Sequence, residues 1–337
     1  MPDCGSQCIL CDVPIRYDTY EGCSHGCRYC FVQRKADLTD IKRGESAKAL
    51  KDFINGKRTQ VTKWCDWDIP LHWGGMSDPF QPCEKTMRCS YNALKVFAET
   101  KYPFIVSTKG KLITDPEYLE LLKECNVVVQ ISAVCSKYDK LERGCPPFLE
   151  RVEMARTLAP LVPRVIIRMQ PYMHEVRKDV LNSLELVADA GVYGVILEGM
   201  KFIKKKPGLI KVGGDYCYPK EVLQQDFEQI RDRAHELGLK FFAGENRLRT
   251  MGDSLTCCGC DGLEGFRVNK YNLNHLANGD VQQPTERMTE RQTGICFKTL
   301  DQTHAGDMRR KESNFSSEMC RMLKVRRDYV EETFGLK

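Results

Sequence analysis

The chain has 337 residues, of which 42% are hydrophobic and 29% are charged, and its formal net charge is +5. This length excludes a miniprotein held together by disulfides, and the absence of any apolar run of about 18 residues argues against a membrane-spanning helix. The small net charge, spread over mixed acidic and basic residues, permits contact with nucleic acid but does not indicate a duplex-binding protein.

Short apolar runs alternate with helical patterns along the chain. The predicted strands, in chain order, are 13–20, 68–75, 103–110, 126–134, 164–172, 192–199 and 239–245. Helices are predicted from Asp115 and Pro116 onward, over roughly 147–161, over 176–190 with Gly191 as the stop, and from Pro219 to Gly238. The alternation predicts an α/β fold in which right-handed crossovers close six βα units into a TIM-like barrel or partial barrel.

Polar residues and glycines follow the predicted strands. Folds of this kind bind their ligands at the carboxyl ends of the strands. We therefore expect one composite site at this rim, formed by Gly74, Gly75, Ser77, Asp78, Ser107, Thr108, Lys109, Ser132, Arg168, Gln170 and Glu198. The sequence assigns no catalytic residue among them.

The cysteines of this chain are not expected to form disulfides. The N-terminus, MPDCGSQC, has neither a basic nor an apolar segment of a secretory signal, so we expect a cytoplasmic protein whose 18 thiols stay reduced. Nine of the cysteines fall into three closely spaced groups of three. These groups are Cys23, Cys27 and Cys30; Cys4, Cys8 and Cys11; and Cys257, Cys258 and Cys260. The other nine are expected to pack as small apolar residues, and they are Cys65, Cys83, Cys89, Cys125, Cys135, Cys145, Cys217, Cys296 and Cys320.

The segment CSHGCRYC has the spacing C-x3-C-x2-C, which supplies three thiolates from one loop. Such a loop can bind three irons of a [4Fe-4S] cluster and leave the fourth iron open for a substrate or cofactor. Gly22 and Gly26 allow the loop to turn, and Tyr29 can shield the cluster. A zinc knuckle is the alternative, although zinc sites more often use paired C-x2-C units with a fourth ligand. His25 is expected to pack rather than to bind metal.

The segment 20-YEGCSHGCRYCFV-32 resembles the cluster loop of the radical S-adenosylmethionine superfamily, and the βα units over 13–245 resemble its partial (β/α)6 barrel. Within that superfamily, 73-WGGMSDPFQPCE-84 and 107-STKG-110 resemble the group of spore photoproduct lyase. The resemblance implies a [4Fe-4S] cluster on the three loop cysteines, S-adenosylmethionine on its open iron, and a 5′-deoxyadenosyl radical that abstracts a substrate hydrogen. A low-potential electron donor such as flavodoxin or ferredoxin would reduce the cluster.

The same resemblance distributes the cofactor contacts along the rim. Gly74 and Gly75 resemble the segment that faces the methionine amino group, and Lys109 is the candidate for its carboxylate. Ser132 is a candidate for the ribose and Arg168 for the ribose or the carboxylate, whereas Ser77 and Asp78 are assigned to the cofactor-binding set more generally. Spore photoproduct lyase has a hydrogen-donating cysteine that would fall near Gly75 or Met76, so repair of thymine dimers is not expected.

The remaining two cysteine groups lie at opposite ends of the barrel segment. Cys4, Cys8 and Cys11 belong to an N-terminal extension over 1–12, and CCGC belongs to a C-terminal extension over 246–337. Thiolates from both ends predict a structural zinc site or a second iron–sulfur cluster, with zinc favoured. Free surface thiols are the alternative.

Substrate contacts are predicted from polar residues after the sixth and seventh strands. The basic loop 201–211, with Lys204 as its representative, suits a phosphate, and Asp215 follows it. Glu198, Glu245, Asn246 and Arg247 offer carboxylate, amide and guanidinium groups for a purine-like edge. Together they predict a nucleotide-sized substrate.

Taken as a whole pattern, DCGSQCILCDVPIRYDTYEGCSHGCRYCF with WCDWDIPLHWGGMSDPFQPCEK is similar to the queuine lyases. That resemblance implies cleavage of the base–ribose bond of queuosine 5′-phosphate during queuine salvage. Two alternatives stay open. One is modification or repair of a base within nucleic acid, and the other is a zinc-stabilised binding module without enzymatic activity.

Overall fold

The computed structural model describes residues 1–4, 10–59, 62, 65, 67–212, 215–270, 272, 274 and 275. Its strands are β1 (Asp3–Cys4), β2 (Ile15–Tyr17), β3 (Tyr20–Glu21), β4 (Lys42–Arg43), β5 (Leu71–Trp73), β6 (Phe104–Thr108), β7 (Val127–Ser132), β8 (Arg164–Tyr172), β9 (Gly194–Gly199), β10 (Ile210–Val212), β11 (Asp215–Cys217) and β12 (Lys240–Ala243). Its α-helices are α1 (Ala47–Ile54), α2 (Glu84–Met87), α3 (Cys89–Thr100), α4 (Pro116–Leu122), α5 (Phe148–Leu158), α6 (Arg177–Asp189) and α7 (Lys220–Glu236).

One sheet organises the molecule, with the order β1-β2-β5-β6-β7-β8-β9-β12. Seven of these strands are parallel to their neighbours, and β1 pairs antiparallel with β2. The seven parallel strands lie within the seven predicted runs, which confirms the α/β prediction. The four predicted helices correspond to α4, α5, α6 and α7, whereas α1, α2, α3 and the two hairpins β3–β4 and β10–β11 were not predicted.

The two faces of the parallel strands bury different kinds of residue. In β7 every residue is buried, and Val127, Val129 and Ile131 pack in the main core that the helices cover. The alternate residues of β7 face the barrel interior, because successive side chains of a strand point to opposite faces. Val128 belongs to a second apolar cluster there, and Gln130 follows it one step nearer the carboxyl end.

A C-terminal segment fills the amino-terminal end of the barrel. Cys258, Cys260 and Phe266 pack with Ile166 and Phe242 in the inner apolar cluster. Arg164, the first residue of β8, donates from Nη1 to the carbonyls of Gly259 at 2.9 Å and Asp261 at 2.6 Å. We call residues 256–268 the plug. Its position leaves the carboxyl ends of the strands as the face on which the predicted rim residues lie.

The residues just before the barrel are hydrogen-bonded to those just after the plug. The Asp12 side chain accepts from Asn272 Nδ2 at 2.6 Å and lies 3.1 Å from His275 Nε2, and its backbone carbonyl accepts from Asn269 at 2.7 Å. The two predicted extensions therefore meet each other. Within the described part of the chain, no helix combines the length and apolarity needed to cross a membrane.

Candidate cofactor and substrate site

The loop that carries Cys23, Cys27 and Cys30 follows β3 at the carboxyl rim. Gly22 has φ +79° and Gly26 has φ +58°, a conformation that favours glycine. A side chain at Gly22 would come within 2.7 Å of the Asp40 carbonyl, so the chain passes too close for any other residue. Cys23 N donates to the Leu38 carbonyl at 2.9 Å, which fixes the start of the loop.

Two buried side chains, Gln81 outside the loop and His25 within it, hold the loop in place. Gln81 accepts from Ser24 N at 2.9 Å and donates to the Gly22 carbonyl at 3.1 Å. His25 lies with Nδ1 2.9 Å from the Gly144 carbonyl and Nε2 3.1 Å from Asp78 Oδ2. His25 is therefore buried between the segment 141–145 and Asp78. Burial alone would lower the pKa of His25, but Asp78 outweighs burial and raises it.

Asp78 connects the cysteine loop to the end of β6. Its Oδ1 accepts from Thr108 Oγ1 and its Oδ2 accepts from Lys109 N, both at 2.6 Å. Burial acts to raise the pKa of Asp78, yet His25 and these donors lower it to about 2. The carboxylate of this predicted cofactor residue is thus ionised and already fully engaged by protein donors.

The three loop thiols were predicted from the sequence to bind a cluster. Cys27 is buried, while Cys23 and Cys30 are partly exposed. Among the described residues, no three His, Cys, Asp or Glu side chains are grouped so as to hold one metal ion. A cluster needs one thiolate on each of three irons rather than three thiolates on one ion. The loop, which has three thiols, a glycine turn and no competing acid ligand within it, fits that requirement.

The glycine segment after β5 packs against residues of β2, β3 and β6. Gly74 has φ +86° and packs directly on the Ser107 carbonyl, and a side chain at Gly75 would lie 3.1 Å from Arg16 Cδ. Ser77 donates from Oγ to the Tyr20 carbonyl at 2.7 Å and from N to Asp18 Oδ1 at 3.3 Å. Hence Ser77 supports the turn, and both glycines lie where a side chain would meet neighbouring protein atoms.

Lys109 extends from the end of β6 toward the same loop. Its Nζ lies 3.8 Å from Glu142 Oε1 and 5.8 Å from the centre of the Tyr29 ring. Glu142 is buried and pairs with the fully buried Arg151, and burial raises the pKa of Glu142 to about 7. Neither Glu142 nor Arg151 was predicted, since an isolated acid in a loop and an arginine in a helix carry no spacing signal.

A chain of polar side chains crosses the barrel interior above the inner apolar cluster. Each belongs to a neighbouring strand and contacts the next one. His72 Nε2 lies 2.9 Å from Ser107 Oγ, and Ser107 donates to Gln130 Oε1 at 3.0 Å. Arg168 donates to Gln130 Oε1 at 2.7 Å, and Arg168 stands opposite Ser132 in the register of β7 and β8. Burial lowers the pKa of His72 to about 3, so this imidazole is neutral.

The chain of contacts continues to one of the predicted substrate residues. Arg168 also donates to Gln170, whose Nε2 donates to Glu198 Oε2 at 2.6 Å. Lys201 Nζ lies 2.9 Å from Glu198 Oε1. The predicted cofactor residue Arg168 and the predicted substrate residue Glu198 are therefore joined across β8 and β9. Lys201 belongs to the predicted basic loop, whereas His72 and Gln130 were missed as site residues, because each is a lone polar residue within an apolar run.

One of the other predicted substrate residues, Glu245, lies near Glu198, because the adjacent Gly244 packs on the Glu198 side chain and Lys201 acts on both carboxylates. Glu245 and Arg247 form a buried pair at 2.9 Å, and Arg247 also donates to the Tyr218 carbonyl. Asn246 accepts from Arg249 and from Asn274, away from the rim. Asp215 pairs with Arg34 at 2.8 Å, and Lys204 is exposed.

A cavity of about 470 Å³ opens beside the basic loop. Its lining includes His174, Phe202, Lys206 and Tyr218. A pocket of this size suits a small ligand, and its lining mixes aromatic rings with a lysine. The sequence predicted the basic loop, but it could not identify which lysine lines the cavity.

The second cysteine group lies at the opposite end of the barrel from the loop. Cys257 Sγ is 4.0 Å from Cys258 Sγ, and hydrogen bonding with the Cys11 thiol is the largest cause that raises the pKa of Cys258. Contact with Cys258 lowers the pKa of Cys257 to about 6. Cys260, which follows shortly after Cys258 in the sequence, is fully buried. The side chain of Cys4 and the whole of Cys8 lie outside the described residues.

Comparison with known proteins supports the fold. No family model matches the chain. Uncharacterized proteins of Mycobacterium bovis and Mycobacterium tuberculosis are each 24% identical over 202 residues, covering 56% of this chain and 59% of theirs. The chain thus spans about three fifths of the length of these curated relatives.

Solved structures are similar over a longer stretch. A variant of spore photoproduct lyase superposes with a TM-score of 0.56 at 15% identity, covering 68% of this chain and 76% of that one. Streptococcus suis SuiB bound to S-adenosylmethionine superposes with a TM-score of 0.55 at 15% identity, covering 94% and 72%. These likenesses confirm the predicted fold, a TIM-like partial barrel.

Proposed function

We propose that this chain is a radical S-adenosylmethionine enzyme whose [4Fe-4S] cluster is held by Cys23, Cys27 and Cys30. The observation that carries the proposal is the glycine-turned loop with three thiols at the carboxyl rim of the partial barrel. Structures of similar fold include proteins with bound S-adenosylmethionine. Bound at this loop, the cluster would supply the electron that cleaves the sulfonium of S-adenosylmethionine to a 5′-deoxyadenosyl radical.

The chain's own residues would orient the cofactor around that loop. Gly74 and Gly75 offer backbone without side chains for close approach to the methionine amino group. Lys109 is the nearby point charge for the carboxylate, and Glu142 and Tyr29 limit where its ammonium can go. Arg168 and Ser132 are proposed to contact the ribose from β8 and β7.

We further propose that the substrate is a modified nucleotide and that the favoured reaction releases queuine from queuosine 5′-phosphate. The whole-pattern resemblance to queuine lyases supports this choice. So does the proximity of Glu198 and Lys201, which pair an acceptor with a cation on the interior chain of polar contacts. The cavity lined by Phe202, Lys206 and Tyr218 offers aromatic faces and a cation in the same loop region.

The decisive experiment is an anaerobic assay with reconstituted protein, a low-potential reductant, S-adenosylmethionine and queuosine 5′-phosphate. We expect 5′-deoxyadenosine and free queuine, and we expect Cys27→Ala to lose the cluster and both products. Cys83→Ala, which removes a half-buried thiol outside the loop, is the matched control. Iron and sulfide in the protein without either product from this nucleotide would contradict the substrate and leave the superfamily intact. Zinc alone, without iron, would favour the non-enzymatic binding module.

Action on a base within nucleic acid is the second candidate. It is favoured by one observation, the likeness to a spore photoproduct lyase variant with bound S-adenosylmethionine and dinucleoside spore photoproduct, at a TM-score of 0.54 and 16% identity. Salt-dependent binding of oligonucleotides would support it. An absence of binding at low salt would count against it.

We also propose a structural metal, preferably zinc, bound by cysteines of the N-terminal extension and the plug. Contact of the Cys11 thiol with Cys258 supports the sequence prediction that both extensions contribute thiolates. The buried position of Cys258 and Cys260 suits a structural rather than a reactive role.

A further inference from the structure

The thiol of Cys145 lies beside the cysteine loop. Its Sγ is 3.8 Å from Cys27 Sγ, within the distance of a hydrogen bond between sulfur atoms. Cys145 is far from the loop in sequence and matches no motif, so the spacing of the cysteines gave no reason to separate it from the other single ones. Cys23, Cys27 and Cys30 already supply the three thiolates that the cluster loop requires, so Cys145 is a fourth thiol next to that set.

The position of Cys145 is fixed by backbone contacts rather than by chance approach of a side chain. Arg28 N in the cysteine loop donates to the Leu141 carbonyl at 2.9 Å, and Gly144 N donates to the His25 carbonyl at 3.2 Å. A side chain at Gly144 would come within 2.6 Å of the His25 carbonyl. The segment 141–145 therefore lies directly against the loop, and glycine at 144 permits that approach.

We propose that Cys145 donates an S–H···S hydrogen bond to the Cys27 thiolate and thereby raises the reduction potential of the cluster. The inference rests on the proposed function. Hydrogen bonds to the cluster sulfurs help set the potential of iron–sulfur proteins, and groups around the ligands tune a metal as much as the ligands do. A hydrogen bond donated to a thiolate ligand stabilises the reduced cluster more than the oxidised one, because the reduced cluster carries more negative charge. Cys145 is thus a positioning and tuning residue, and no iron–sulfur bond to it is required.

The test compares wild type with Cys145→Ala and Cys145→Ser after anaerobic reconstitution, without substrate. Iron and sulfide content is measured first, and the midpoint potential is then measured by a redox titration followed by electron paramagnetic resonance. We expect Cys145→Ala to keep the wild-type iron content and to shift the midpoint to a more negative potential. Cys145→Ser keeps an O–H donor and should restore part of the shift, and Cys83→Ala should match wild type.

Several outcomes would overturn the inference. An unchanged midpoint in Cys145→Ala would show that the thiol does not tune the cluster. Loss of iron from both Cys145 variants would instead mean that Cys145 is a ligand or a structural requirement. Wild-type protein that binds no iron would contradict the proposed function itself. That outcome is distinct from the one in which the wild type binds a cluster but its midpoint potential does not change in Cys145→Ala.

Discussion

At the scale of single residues, the sequence identified those whose spacing is itself the signal. Cys23, Cys27 and Cys30 could be recognised because three thiols so spaced within one loop are typical of a bound metal or cluster. Asp78 was recognised as a rim residue, but its engagement by His25 and Lys109 depends on contacts between distant segments. Glu142 could not be found in this way, because its burial against Arg151 exists only in the folded chain.

Asp18 gives a prediction at this scale, on the pH dependence of stability. Its Oδ1 accepts from Met76 N at 3.0 Å and from Ser77 N, and burial raises its pKa from 3.8 to about 7. The folded chain therefore holds this proton more tightly than the unfolded chain does. The resulting stabilisation is complete below pH 3.8 and is lost as the pH rises to about 7.

Asp18→Asn keeps an oxygen acceptor for both backbone donors but cannot ionise. We expect its free energy of unfolding to fall less steeply than that of wild type between about pH 4.5 and 7. A single carboxyl contributes at most about 1.4 kcal/mol per pH unit, and solvent near this partly exposed group reduces that slope. Urea unfolding at several pH values measures the difference, and parallel curves for the two proteins would refute the assignment.

At the scale of elements, the seven parallel strands and four of the helices could be predicted, because their apolar periodicity and their Pro and Gly boundaries are local. The helix α3 was missed. It begins at Cys89 after Arg88 in a left-handed conformation, without a proline, and its first backbone N–H groups are capped by the buried Glu84 side chain rather than by the N-cap residue. The segment 141–145 was also unassigned, since nothing local indicates that it packs against a loop far away in the sequence.

The contact between that segment and the cysteine loop leads to a second prediction. In Gly144→Ala the new methyl group would meet the His25 carbonyl, which is backbone and cannot rotate away. We expect destabilisation of about 1–3 kcal/mol, as for other overpacked sites, together with weaker retention of the cluster. The measurements are thermal unfolding and the rate of iron release to a chelator.

Gly56→Ala is the control for this substitution. Gly56 has φ +89°, but a methyl group at this position would have no atom within 4 Å, so the variant tests backbone strain without a clash. We expect a cost of about 1–2 kcal/mol and iron release at the wild-type rate. Equal iron release from the wild-type and Gly144→Ala proteins would show that the segment does not support the loop.

At the scale of the whole molecule, the two ends of the barrel contain different kinds of residue. The carboxyl end carries the cysteine loop and the interior chain of polar contacts, whereas the plug fills the amino end with apolar side chains and thiols. The N-terminal residues reach the same end, where Asp12 contacts Asn272 and His275. The sequence predicted that the two extensions contribute to one metal site, but it could not show that they meet at the end of the barrel opposite the cysteine loop, since that depends on the path of the chain after β12.

The last prediction concerns the metal proposed for this end. A site built from thiols of both extensions binds only the folded chain, so metal binding adds to the stability of the fold. We expect wild-type protein to contain bound zinc besides the iron of the cluster, and Cys258→Ala to lose the zinc while keeping iron and sulfide. Its Tm should fall further than that of Cys125→Ala, because the latter removes a buried thiol from the main core and costs only the lost packing. Elemental analysis and thermal unfolding of the two variants measure both effects.

A zinc content in Cys258→Ala equal to that of wild type would exclude the site. If Cys258→Ala instead contains less iron than wild type, these thiolates bind a second iron–sulfur cluster rather than zinc.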